Sequence, residues 1–150
     1  MLTEHHRLLH RLAGRWRGAE MMATTRWAPA GPAESEAVAE VALGGTHVFQ
    51  SYRQVRDGRT AFESRAVFAW DGERERFAMF LFDTMGFVPD GPGIGVRDGD
   101  GLEFTRRSAR GAGRHRYVFA DEGRYRLTVA FAPAGGDWTD MLEGDYQRLD

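Results

Sequence analysis

From Gly14 onward, apolar residues recur at every second position, and glycine-bearing turns cut the run at short intervals. Period two is the repeat of a β-strand, whose side chains point alternately to the two faces of a sheet. Breaks this short join strands into antiparallel hairpins, because parallel pairing would need crossovers of a dozen residues or more. Strands are expected near Arg15–Thr25, Ser35–Leu43, His47–Val55, Thr60–Trp70 and Arg76–Phe82. Five more are expected near Ile94–Arg97, Gly101–Arg106, Arg116–Ala120, Tyr125–Phe131 and Trp138–Arg148. Gly44-Gly45, Asp57-Gly58, Asp71-Gly72, Glu122-Gly123 and Gly135-Gly136 supply turns between them. About ten short strands in series predict an all-β fold, an antiparallel up-and-down β-barrel.

Ahead of the strands, Thr3 to Ala13 reads as a short N-terminal helix with Thr3 as N-cap and Gly14 at its C-terminal side. His5, Leu8, Leu9 and Leu12 share one face, with Arg7 and Arg11 opposite. A leucine stripe must dock on something, and closing one end of the barrel would satisfy it. With 150 residues, one domain over 1–150 is expected.

Composition narrows the chemistry. The chain has no cysteine, which excludes disulfides, thiolate metal sites and cysteine nucleophiles. All twenty basic residues are arginine, so no lysine can form a Schiff base. A net charge of −2 gives no reason to expect nucleic-acid binding. No apolar run approaches the roughly 20 residues of a membrane-spanning helix. The first residues lack a signal-peptide plan, so a cytoplasmic protein with no membrane partner is expected.

Alternation assigns faces in places. Phe62, Ser64, Ala66, Phe68 and Trp70 share one face, as do Trp16, Gly18, Glu20, Met22 and Thr24. Tyr125, Leu127, Val129 and Phe131 form another apolar row. Residues 77–82 are apolar on both faces and 47–55 are mixed, so neither segment declares its phase. Aromatic residues on most strands are candidates to line a pocket: Phe49, Phe62, Phe68, Phe80, Phe82, Phe104, Tyr117, Phe119 and Tyr125, together with Met22. The plainer account is that such rings fill the barrel. Glu20, on the Trp16 face, would place a carboxylate in an apolar interior suited to proton transfer; a buried polar partner is the plainer role. His47 is a lone strand histidine able to orient a ligand. Asp83 either lines the barrel mouth or caps the Asp83-Thr84-Met85-Gly86 turn.

Other features carry less chemistry. His6 and His10 have zinc-compatible helical spacing but lack a third ligand, so they read as a solvated flank and no metal is assigned. Gly86–Gly95 reads as a mobile loop near the mouth. Arg106–Arg116 carries five arginines and no acid; it reads as an Arg-rich hairpin loop, with an anion site as the sharper alternative.

Four landmarks in order resemble the domain of unknown function 1579 family of bacterial proteins. These are Leu12-Ala13-Gly14-Arg15-Trp16-Arg17-Gly18, Leu43-Gly44-Gly45 followed by Tyr52, Phe82-Asp83-Thr84-Met85-Gly86, and Glu143-Gly144-Asp145-Tyr146-Gln147-Arg148. That family is similar to the calycins: lipocalins, fatty-acid-binding proteins and the haem-binding nitrobindins. The resemblance implies a barrel of about ten antiparallel strands with a helix near the N-terminus and an internal cavity. It also implies that Arg148 packs over Trp16 at the closed end, and it carries no settled activity. Nitrobindins hold haem through a histidine near the C-terminus; this chain has none after His115, and no cofactor is expected. The combined expectation is a monomer or homodimer that binds a small, mainly hydrophobic molecule in the barrel. The alternative is a barrel enzyme, a cyclase, isomerase or dehydratase, working by general acid–base catalysis.

Overall fold

The computed structural model describes residues 1–26 and 28–150. One helix, α1 (Glu4–His10), precedes ten strands. These are β1 (Gly14–Met22), β2 (Gly31–Ala42), β3 (His47–Arg56), β4 (Arg59–Asp71) and β5 (Arg76–Asp83), then β6 (Gly93–Asp98), β7 (Gly101–Ser108), β8 (Gly111–Asp121), β9 (Arg124–Pro133) and β10 (Thr139–Arg148). Each strand pairs antiparallel with its sequence neighbours, and β10 pairs with β1 to close the barrel. The predicted architecture is the one observed.

The helix plugs one end. Thr3 caps it through the His5 amide, and His6 Nδ1 accepts from the Thr3 amide, which satisfies two of the free donors at the N-terminus. Leu8, Leu9 and Leu12 are buried on the barrel, while His5 stacks on Trp70 with ring centroids 3.7 Å apart. Beneath the helix, the Trp16 indole donates to the Leu12 carbonyl at 3.0 Å. The Arg148 guanidinium lies 4.4 Å over the Trp16 ring and donates to the Ala13 carbonyl. That stack ties the first strand, the last strand and the helix together.

Two segments depart from expectation. The β5–β6 connection covers only 84–92, because Gly93, Ile94 and Gly95 already pair with β5. Pairing there stops after three residues, which leaves Leu81 and Asp83 without a β6 partner. Arg106–Arg116 is not a loop: β7 and β8 stay paired up to Ser108 and Gly111, joined by Ala109 and Arg110 alone. Three of the five arginines find separate neighbours. Arg110 covers the Phe87 ring, Arg114 covers Trp138 and Arg116 pairs with Asp98.

The interior divides into two halves. Near the helix, Trp16, Phe68, Phe77, Phe104, Phe119 and Tyr125 are buried with edge-to-face ring contacts, and Leu102 is buried with them. These rings fill that half to the walls. At the opposite end, the mouth, the side chains stand apart.

Candidate functional site

The gap in the mouth half is a cavity of about 210 Å³. Its position follows from strand phase. In β3 the inward set is Val48, Gln50, Tyr52 and Gln54, facing Phe68, Ala66, Ser64 and Phe62 of β4 in register. In β5 it is Phe77, Met79 and Leu81. Leu127 and Val129 of β9, with Met141 and Leu142 of β10, complete an apolar wall. Opposite stand Asp83, Arg106, His115 and Tyr117.

Beside the cavity, behind Tyr52 and Gln54, lies a polar cluster. The Glu20 carboxylate, 4% exposed, accepts from the Tyr52 hydroxyl at 2.9 and 3.0 Å and from the Gln54 amide at 3.1 Å. It also accepts from the Tyr146 hydroxyl, which in turn receives a hydrogen bond from Ser35. A buried carboxylate with this many donors is satisfied. Burial, foremost, and the nearby Glu20 charge push the Tyr52 hydroxyl well above the ordinary tyrosine range. Tyr146 is raised chiefly by burial as well, so both hydroxyls remain donors. Gly18 and Gly144 make this possible. A Cβ on Gly18 would come within 2.6 Å of the Tyr146 ring, and one on Gly144 within 3.0 Å of Glu20 Cγ.

Arg106 and His115 differ from that cluster: each keeps a buried nitrogen with no partner, Nε of Arg106 and Nδ1 of His115. Burial, then the Arg106 charge, pushes the His115 imidazole down to about 3, so it is neutral at pH 7. Burial lowers Arg106 too, against the opposing pull of the Asp83 charge.

Of the residues singled out from the sequence, Met22, Phe62, Asp83 and Tyr117 line the cavity. Glu20 lies behind Tyr52 and Gln54, while Phe68, Phe104, Phe119 and Tyr125 belong to the packed half. His47, Phe49, Phe80 and Phe82 fall on the opposite phase of their strands and face away from the cavity. Phe49, Phe80 and Phe82 are exposed on the outer wall, because Val48, Met79 and Leu81 take the inward positions beside them. Asp83 also caps its turn, its Oδ1 accepting from the Met85 amide at 2.9 Å. His6 and His10 serve the fold: His10 Nε2 is 2.7 Å from the Gly45 carbonyl. Among the described residues no cluster of three potential metal ligands occurs. The sequence reading missed Gln50 and Gln54, held Tyr52 only as a family landmark, and held Arg106 only as part of an Arg-rich segment with an anion site as its alternative. Strand glycines opposite large residues, such as Gly18, were the available signal for a crowded interior.

Comparison with solved structures supports the architecture. Rv2717c from M. tuberculosis matches with a TM-score of 0.74 at 16% identity, covering 100% of both chains. The S-type phycobiliprotein lyase CPES from Guillardia theta matches with a TM-score of 0.72 at 11% identity, over 99% of this chain and 94% of that one. A DUF3598 protein of unknown function from Nostoc punctiforme matches with a TM-score of 0.55 at 14% identity, over 93% of this chain and 48% of that one. At such identities the likeness is one of fold. No curated protein matches the sequence. The family model described as "Protein of unknown function (DUF1579)" matches residues 2–148, nearly the full length of the barrel with its helical plug, and the chain belongs to that family.

Proposed function

We propose that this protein binds a small, mainly apolar molecule in the mouth half of its barrel. The observation that carries the reading is the contrast between the two halves: one packed with interlocking rings, the other hollow and walled by Leu81, Leu127, Val129 and Leu142. Closed barrels of modest strand number either fill with side chains or hold one small ligand, and this barrel does each at one end. A volume of about 210 Å³ suits a one- or two-ring molecule. A lyase among the structural neighbours is consistent with a barrel interior that handles small molecules.

No observation favours the enzyme alternative. The carboxylate it would have used, Glu20, is fully hydrogen-bonded behind Tyr52 and Gln54, and the neutral His115 is a weak base. Calorimetric titration with indole tests the binding reading. Saturable binding is expected in the native protein and its loss in Ser64→Leu, which extends a side chain into the cavity. Equal binding by both proteins would contradict it.

A further inference from the structure

We infer that the cavity selects amphipathic carboxylates, with Arg106 and His115 receiving the acid group and the β9–β10 wall receiving the apolar body. The inference rests on the binding reading above and adds the head-group chemistry. Arg106 (β7) is opposite Gly113 (β8), and His115 is two residues along β8 on the same inward face, within reach of a shared ligand. The backbone around Arg106 leaves it room. A Cβ on Gly93 would meet Arg106 Cγ at 2.6 Å, and one on Gly113 would meet Nη2 at 3.7 Å. Gly93, on the neighbouring strand, thus makes room for the stem of this long cationic side chain, while the Gly113 distance is ordinary contact.

That side chain has no partner of its own. Among the described residues Arg106 makes no ion pair or hydrogen bond, and its buried Nε is unsatisfied. His115 beside it likewise keeps a buried Nδ1 with no partner, whereas the Glu20 cluster is fully hydrogen-bonded. Arg106 as a whole is half-buried, but an Nε shut away from water ordinarily has an acceptor, and leaving it bare is costly. A planar carboxylate matches the guanidinium fork. His115 adds a ring N–H donor in its neutral form, and Tyr117 lines the same side. Asp83, the acid nearest this group, spends one oxygen on its own turn. It would repel an acid placed toward the mouth, and so directs the head group to the Arg106–His115 side.

The test compares isosteres: 3-phenylpropionate, its neutral amide and 3-phenylpropylamine, titrated calorimetrically into the full chain. The acid is expected to bind at least about tenfold tighter than the amide, the gain of charge-assisted hydrogen bonds in a desolvated site. Arg106→Met should weaken the acid far more than the amide and so remove the preference between them. Gly93→Ala, which displaces the Arg106 stem and keeps the charge, should weaken the acid selectively. Amide bound as tightly as acid, or amine bound best, overturns the head-group assignment and leaves the apolar site standing. No binding by any of the three overturns the underlying reading as well.

Discussion

The four tyrosines of the chain, Tyr52, Tyr117, Tyr125 and Tyr146, all face the interior, and burial is the leading cause that raises each hydroxyl. Their folded-state titration lies above the unfolded value of about 10, so folding holds the protonated form. That stabilising contribution is complete below pH 10 and is lost as pH rises beyond it. Tyrosinate absorbance should therefore stay absent in the native protein through pH 10 and appear together with unfolding; a smooth rise near pH 10 without loss of structure would contradict the arrangement. His115 behaves in the opposite sense. Its folded pKa, pushed down to about 3, lies below the unfolded value of about 6.5, so the unfolded chain binds the extra proton first. Stability should fall as pH drops from about 6.5 toward 3. Urea midpoints measured at pH 7 and pH 4.5 should differ less in His115→Leu than in the native protein. An identical acid loss in both would place the imidazole in water.

Strand β5 isolates the value of phase. Leu81 is inward and buried, whereas Phe80 and Phe82 beside it are exposed. Leu81→Ala should cost about 2–5 kcal/mol, and Phe80→Ala within about 0.5 kcal/mol, despite the larger ring removed. Urea denaturation of both variants measures the difference, and equal losses would contradict the assigned faces. The sequence could not give this phase, since residues 77–82 are apolar throughout and alternation needs a polar face to be visible. For β4 it could: Glu63 and Arg65 marked the outside, and Ser64, Ala66 and Phe68 are buried as alternation required. Strand β3 hid its phase for a related reason. Its two faces are mixed and declare no phase, yet Gln50 and Gln54 point inward, and Gln54 offsets its burial by hydrogen bonds to Glu20 and Tyr52. The Arg106–Arg116 segment was misread because consecutive charges resemble a loop, although long arginine stems cover strand faces and ring surfaces well.

The barrel itself was legible because closure follows from many short hairpins and leaves no free edge. What lay out of reach was where the rings stop. The packing of Phe68, Phe104 and Tyr117 into one half, with a gap beyond, depends on three-dimensional neighbours from separate strands. Arg106 became conspicuous only once the fold brought it, unpaired, beside His115. The account stands on the hollow mouth half, and methyl-resolved NMR during titration with indole addresses it most directly. Saturable shifts are expected at the methyls of Leu81, Leu127, Val129 and Leu142, with Leu8, Leu9, Leu12 and Leu102 undisturbed. Shifts confined to outer-wall methyls such as Val38 and Val41, or none that saturate, would contradict it.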